Sequence, residues 1–344
     1  MSPVNVLVMI HGMTPDPQPK SPFDNSNDGK YWGYNTFFDE LCKKQNQLTG
    51  LFPNRFIGVE WGHELPEEEG KPSNSLQEDH QLTRAQNFIN ERIAYDILAK
   101  DADPNNITMS LFSKSGIDFP TLTPLVRWLV VGLRESIATR GLGDVLYYGS
   151  AQGECIVRRS VYKQVLERLE PYLDESDVRI HLIGQSLGVT LTHDFLYGLF
   201  NPNEDYIPGF YVQGDEVNVA RFKKWRQKAQ TQELKLGSLT STASQLPLFS
   251  MRNQVLVNRL ANRQLFDARD IGILDSNQIQ WQLFYDLDDL LGFGTRRLYS
   301  CGNAIREYQV DTGDNPGDAH TSYWKNFTVI EKTAELLLKN SVLS

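Results

Sequence analysis

The sequence predicts an α/β layer architecture with a mostly parallel sheet, and three observations carry that prediction. Strand-like apolar runs alternate with helical patterns from one end of the chain to the other. The runs VNVLVMI (4–10), RFIGVEW (55–61) and VRIHLIG (178–184) are apolar almost throughout, not at every second residue, which marks strands covered on both faces. No internal repeat interrupts the alternation.

Length and composition bound the answer. The 344 residues suffice for one large domain or two small ones; 40% are hydrophobic and 22% charged, the balance of a soluble globular protein. A net charge of -9 argues against nucleic acid as a partner, since a phosphate backbone would be repelled. The first strand-like run begins at Val4, which leaves no room for a signal peptide. Cys42, Cys155 and Cys301 are odd in number and far apart, so free thiols in a reducing compartment are expected. No apolar run approaches the roughly 18 residues of a membrane span. A soluble, cytoplasmic protein with no transmembrane segment is the expectation.

Each element follows from its pattern. After the first strand, His11-Gly12-Met13 opens a loop rich in Pro, Asp, Asn and Ser. Helical spacing runs from Gly33 to Gln47 with Phe37, Phe38 and Leu41 inward. Residues 55–61 form the second strand, 63–78 a polar loop, and 83–99 a helix with Phe88, Ile89, Ile93 and Ile97 on one stripe. The stretch 101–143 fits the alternation poorly. It is either core or a cap inserted over a pocket, with 119–134 as a possible peripheral membrane contact. A short strand is expected at 144–148 and a helix at 154–172. The central strand, the elbow described below and a helix over 190–200 come next. A helix around Arg221, Lys223, Lys224, Arg226 and Lys228 reads as a solvated basic face. Strands follow at 237–243, 278–285 and 307–310, and a last helix at 322–340. A single domain over 1–344 is expected.

The chemistry centres on Gly184-Gln185-Ser186-Leu187-Gly188, which joins an apolar strand to a helical pattern. So tight a turn needs small residues two positions to each side of the serine and presents its hydroxyl beside a helix N-terminus. An imidazole must take the serine proton, and a carboxylate must hold that imidazole in the right tautomer. Of six histidines, only His320 follows both the serine and an acidic cluster, on a loop between a strand and a helix. The cluster offers Asp286, Asp288 and Asp289; spacing does not separate Asp286 from Asp289, while Asp267 and Asp275 precede the strand and are discounted. An oxyanion needs two backbone N–H donors. Leu187, after the serine, supplies one, and Met13, after His11-Gly12, is the candidate for the other. His63 and His80 lack zinc-ligand spacing, the cysteines form no CxxC pair, and no phosphate loop with a lysine occurs. Gly292-Phe293-Gly294 is too short for a nucleotide site. No metal and no cofactor are expected.

Four motifs in this order, VLVMIHGM (6–13), IGQSLG (183–188), FYDLDDLLGF (284–293) and AHTSYW (319–324), resemble the α/β-hydrolase superfamily, specifically its intracellular lipase- and esterase-like members. The third is similar to their Tyr-Asp-x-x-Asp-Pro segment, in which the aspartate before the proline is the triad acid. The resemblance therefore implies Asp289 in that role. Leu290 stands where the proline would be, which keeps Asp286 as the alternative. Gln185 replaces a histidine often found before the serine. The family's three-layer fold has about eight strands, and this chain opens on what would be the third, so about six are expected. The implied activity is cofactor-free cleavage of a carboxylic ester, on a small-molecule or lipid substrate, by Ser186, His320 and Asp289. A thioesterase, amidase or peptidase would use the same groups. A catalytically silent binding protein on this fold is the rival from another class.

Overall fold

The computed structural model describes residues 3–12, 33–61, 151–203, 215–247, 262, 264–289, 291–313 and 316–341. They fall within one unit, formed by Met1–His63 and Tyr147–Ser344. Met13, His63, His80, the helix expected at 83–99, the segment 101–143 and the strand expected at 144–148 lie outside the described residues.

In chain order the elements are β1 (Val4–Ile10), α1 (Tyr34–Lys44), α2 (Leu48–Leu51), β2 (Ile57–Val59), α3 (Ala151–Leu169), β3 (Val178–Gln185), α4 (Leu187–Phe200) and α5 (Glu216–Gln230). There follow β4 (Leu234–Thr242), β5 (Phe266–Asp267), β6 (Trp281–Tyr285), β7 (Tyr299–Ser300), β8 (Ile305–Gln309), α6 (Pro316–Thr321) and α7 (Phe327–Asn340). Among the described residues six strands form one sheet in the order β2-β1-β3-β4-β6-β8, and every pairing in it is parallel. The short β5 and β7 pair separately. The expectation of a parallel α/β sheet of about six strands is met.

Burial explains the sequence pattern. In β1, Leu7 and Met9 face a cluster shared with Phe37, Phe38 and Leu41 of α1 and Val329, Ala334 and Leu337 of α7. Val6, Val8 and Ile10 alternate with them and are buried too, so both faces of the strand are covered. Phe37 stacks on Trp324 with ring centroids 4.9 Å apart, which fixes α1 against the segment leading into α7. Against the sheet also pack α3, α4 and α5. Arg158 of α3 and Asp194 of α4 form a buried ion pair. Burial alone would raise the Asp194 carboxyl, but the Arg158 guanidinium and His193 together outweigh it and hold the group well below the usual carboxylate range.

Several boundaries differ from the sequence expectation for identifiable reasons. The helix expected to begin at Thr190 starts at Leu187, immediately after the serine. The last helix is interrupted: Tyr323–Lys325 form a 3-10 turn, and Asn326 then caps α7 by accepting from the N–H groups of Thr328 and Val329. The second strand is trimmed to three residues. Arg226, expected on a solvated face, is buried and donates to the Gly198 carbonyl at 2.5 Å, tying α5 to α4; Lys223 and Lys224 are exposed as expected. Among the described residues no helix is long and apolar enough to cross a membrane.

One irregularity sits at the sheet's centre. Between β3 and β4 the register slips, pairing Ile180 with Leu236 but His181 with Ser238, so Gly237 is the extra residue. The His181 ring occupies the space a side chain on Gly237 would need, with Nδ1 2.8 Å from the position of such a Cβ. His181 Nδ1 pairs with Ser238 Oγ at 2.8 Å, and Phe52 meets the ring edge-on. Burial, with a smaller contribution from Arg179, pushes the imidazole down to about 3 from 6.5. A histidine neutral in the fold must take up a proton on unfolding at any pH below its unfolded value. Its contribution is therefore complete above pH 6.5 and is lost as the pH falls towards 3, at about 1.4 kcal/mol per pH unit. His181→Gln, which cannot titrate, is expected to show a shallower loss of stability across this window in urea melts. Equal slopes in the two proteins would contradict the neutral, buried imidazole.

Candidate active site

In a sheet of order β2-β1-β3-β4-β6-β8 the winding direction reverses at β1, so the carboxyl ends of β1 and β3 flank the crevice where open α/β sheets bind ligands. His11-Gly12 ends the first of these strands and Gln185-Ser186 the second. Ser186 is the single residue between β3 and α4, with φ 53 and ψ -125. A non-glycine residue held there costs about 1–3 kcal/mol and persists only where its surroundings fix it.

Three glycines allow that fixation. A Cβ on Gly184 would stand 2.9 Å from both the Gly188 carbonyl oxygen and Val189 Cα, so the turn could not close. One on Gly188 would run into the carbonyl oxygens of Ile10 and His11, pushing α4 off the end of β1. One on Gly12 would lie 2.6 Å from Ser186 Cβ and 3.2 Å from its Oγ. The backbone is pinned as well: Ser186 N–H donates to the Thr242 carbonyl at 2.9 Å, and Ser186 C=O accepts from Val189 at 3.0 Å.

His320, in α6, and Asp289, in the loop after β6, complete a chain of hydrogen bonds with this serine. His320 Nε2 lies 2.8 Å from Ser186 Oγ, and His320 Nδ1 lies 2.8 Å from Asp289 Oδ1. An ionised carboxylate can only accept, so Nδ1 carries the proton, Nε2 is the acceptor, and the serine hydroxyl donates to it. Ser186 and Asp289 are buried, whereas the His320 side chain keeps 18% of its surface exposed. Chemically, this arrangement can withdraw a proton from Oγ while the resulting imidazolium stays paired with a carboxylate.

The two aspartates left open by the sequence have different partners. Asp289 Oδ1 also accepts from Leu291 N–H at 2.9 Å, and Oδ2 accepts from the Tyr323 hydroxyl at 2.9 Å. Tyr323 in turn accepts from Asp286 N–H at 2.8 Å. Burial, and then the Asp289 charge, push the Tyr323 phenol far above its ordinary value, so it acts as a neutral donor. Gly292 supplies the space this group occupies: its Cβ would overlap Asp289 Oδ2 and reach within 3.0 Å of the Tyr323 hydroxyl. Asp286 points its carboxylate elsewhere, accepting from Thr312 N–H at 2.5 Å, Thr312 Oγ1 at 2.7 Å and Asp288 N–H at 2.9 Å. Thr312 Oγ1 is also 2.7 Å from the Ala319 carbonyl and shares its one proton between the two oxygens, so Thr312 links Asp286 to the segment that carries His320. Asp288 is exposed.

The remaining predicted residues are placed as follows. Leu187 is the first residue of α4, where its N–H has no intrahelical carbonyl to meet. Met13, the expected second donor, lies outside the described residues. His11 stacks on Trp61, with centroids 5.6 Å apart, and His11 N–H donates to the Tyr34 hydroxyl at 2.8 Å; both contacts anchor the end of β1. Buried His193 pairs with the Tyr299 hydroxyl. Gln185 Nε2 donates to the His320 carbonyl at 3.4 Å, a contact between the strand before the serine and the histidine segment.

Three contributors escaped the sequence reading. Tyr323 and Gly292 lie inside motifs already singled out, but nothing in their spacing says what they touch. Gln245, after β4, is fully buried and donates from Nε2 to Ser186 Oγ at 3.1 Å. No sequence signal marks it.

Among the described residues no group of three or more His, Cys, Asp or Glu could hold a metal ion. Cys42 and Cys301 are free thiols, both pushed up by burial. No family model, no curated protein and no solved structure matches this chain.

Proposed function

We propose that this chain is a serine hydrolase of the α/β-hydrolase type that cleaves carboxylic esters without a cofactor. The observation carrying this reading is the unbroken path Ser186 Oγ, His320 Nε2, His320 Nδ1, Asp289 Oδ1, with 2.8 Å at both junctions. The strained serine backbone supports it. A purely binding role gives no reason to hold Ser186 at φ 53 with its hydroxyl against an imidazole.

The mechanism follows from the hydrogen-bond directions. Ser186 passes its hydroxyl proton to His320 Nε2 as Oγ bonds to the acyl carbon. The carbonyl π electrons move onto oxygen, and that oxyanion is received by the N–H of Leu187 and, in this proposal, of Met13. Asp289 stabilises the imidazolium. His320 then gives its proton to the departing alkoxide, leaving an acyl group on Ser186. Water repeats the sequence: its proton goes to His320, its oxygen to the acyl carbon, and Ser186 leaves with the proton returned.

The direct test is hydrolysis of p-nitrophenyl esters in a series from acetate to palmitate. Turnover of at least one member with an initial burst of p-nitrophenol is expected, because the acyl-enzyme accumulates with so good a leaving group. The preferred chain length reports the depth of the acyl pocket. A correctly folded protein that turns over no member of the series would sink the ester reading.

A further inference from the structure

The fully buried amide of Gln245 has one hydrogen-bond partner among the described residues, and that partner is Ser186 Oγ, met by Nε2 at 3.1 Å. Its Oε1 has none. The orientation of the amide is fixed by its neighbours. The single hydroxyl proton of Ser186 goes to His320, so an amide oxygen facing Oγ would leave two oxygens in contact with no proton between them. The nitrogen therefore faces Oγ. Packing gives no reason for an amide here, because an apolar side chain of the same length would fill the space and leave no buried polar atom unmatched. What the amide adds is a donor, aimed at the one oxygen that the proposed reaction converts from an alcohol into an ester.

Resting on the assignment of Ser186 as nucleophile, we infer that Gln245 Nε2 is a catalytic donor to Oγ that drives the acyl-enzyme back to free enzyme. An alcohol oxygen is a good acceptor. The alkoxy oxygen of an ester shares a lone pair with the carbonyl and accepts poorly. Acylation of Ser186 therefore deprives the buried N–H of its acceptor, which raises the acyl-enzyme relative to the free protein. Deacylation restores that acceptor. Water bonds to the acyl carbon as His320 takes one of its protons, and the carbonyl electrons move onto oxygen. On collapse the Oγ–acyl bond breaks with its electron pair on Oγ, the carbonyl re-forms, and His320 Nε2 returns the proton to Oγ. Oγ is most negative while that bond breaks, and a hydrogen bond to a charged oxygen is roughly twice as strong as one to a neutral oxygen. Gln245 gains and loses only a hydrogen bond. In acylation the same donor starts satisfied and ends unsatisfied, so its one gain is the transient charge on Oγ. Deacylation depends on it more than acylation does.

Mixing wild type and Gln245→Met with p-nitrophenyl acetate separates the two half-reactions. Stopped-flow release of p-nitrophenol gives the acylation rate, and mass spectrometry of the Ser186 peptide follows loss of its acetyl group once the substrate is exhausted. Met matches Gln in length and bulk and has no donor. Acylation is expected to slow by less than about 5-fold and loss of the acetyl group by about 10- to 100-fold, as befits a buried donor that no longer destabilises the acyl-enzyme. Gln245→Leu, which also lacks the donor, is expected to repeat the pattern. Slowing of acylation equal to or greater than that of deacylation overturns the inference, because a displaced Ser186 or His320 gives that result. Failure of both variants to fold overturns it as well, by making the amide a structural group. A wild-type protein that forms no acetyl group on Ser186 defeats the underlying reading and the inference together. Acetylation of Ser186 with unchanged decay in Gln245→Met defeats the inference alone.

Discussion

Ser186→Ala is expected to lower ester turnover by at least about 10⁴-fold with only a small drop in the melting temperature. On the proposed mechanism the hydroxyl both gives a proton to His320 and bonds to the acyl carbon. On the same mechanism, its removal would leave only the proposed oxyanion donors and the binding surface, which sustain residual catalysis. Stability should fall only by the cost of one buried donor left unpaired at Gln245, about 1–3 kcal/mol. His320 Nε2 and Gln245 Nε2 each lose a partner, but His320 is partly exposed and can turn to water. Alanine must adopt the same positive φ as serine, so the backbone cost is unchanged. A variant that retains most of its turnover would remove Ser186 from the chemistry.

Asp289→Asn is expected to cost about 10⁴-fold in turnover, and Asp286→Asn about 10-fold or less. The carboxylate keeps the proton on Nδ1. An amide in its place can present its NH₂ to Nδ1, which moves the proton to Nε2 and leaves the serine hydroxyl with no acceptor. The other two donors pull opposite ways: the Tyr323 hydroxyl on Oδ2 favours that arrangement, while Leu291 N–H, which shares Oδ1 with His320, opposes it. Asp286 acts at one remove. Its amide analogue can still accept from Thr312 N–H, so the His320 segment loses part of one brace and no part of its proton path. Parallel kcat measurements on the two variants decide between them, and the reverse ranking would make Asp286 the acid.

How much of this was legible in the sequence depends on how local each cause is. Strand β1 was readable to the residue, because a strand buried on both faces writes its burial directly into composition. The serine turn was readable because its steric demands fall on Gly184 and Gly188, two positions away on each side. The order of Ser186, an aspartate and His320 along the chain followed from parallel strands that deliver their carboxyl ends to one edge. Which of Asp286 and Asp289 meets His320 was not readable from spacing. That contact follows from Thr312, which draws Asp286 away, and from Tyr323 and Gly292, which hold Asp289. Gln245 reaches Ser186 across 59 residues of sequence, from an unremarkable Ser-Gln-Leu after β4. Arg226 shows the same limit in the core: a basic residue in a basic run is buried because a helix carbonyl, that of Gly198, waits opposite it.

The central claim is that Ser186, and no other nucleophile, is activated by His320. It is tested most directly by treating the folded protein with a fluorophosphonate and locating the adduct by peptide mass spectrometry. The account predicts one phosphonyl group per chain, carried on the peptide containing Ser186, absent in Ser186→Ala and formed far more slowly in His320→Ala. Labelling that persists undiminished in Ser186→Ala, or wild-type protein that stays unlabelled while folded, would contradict it.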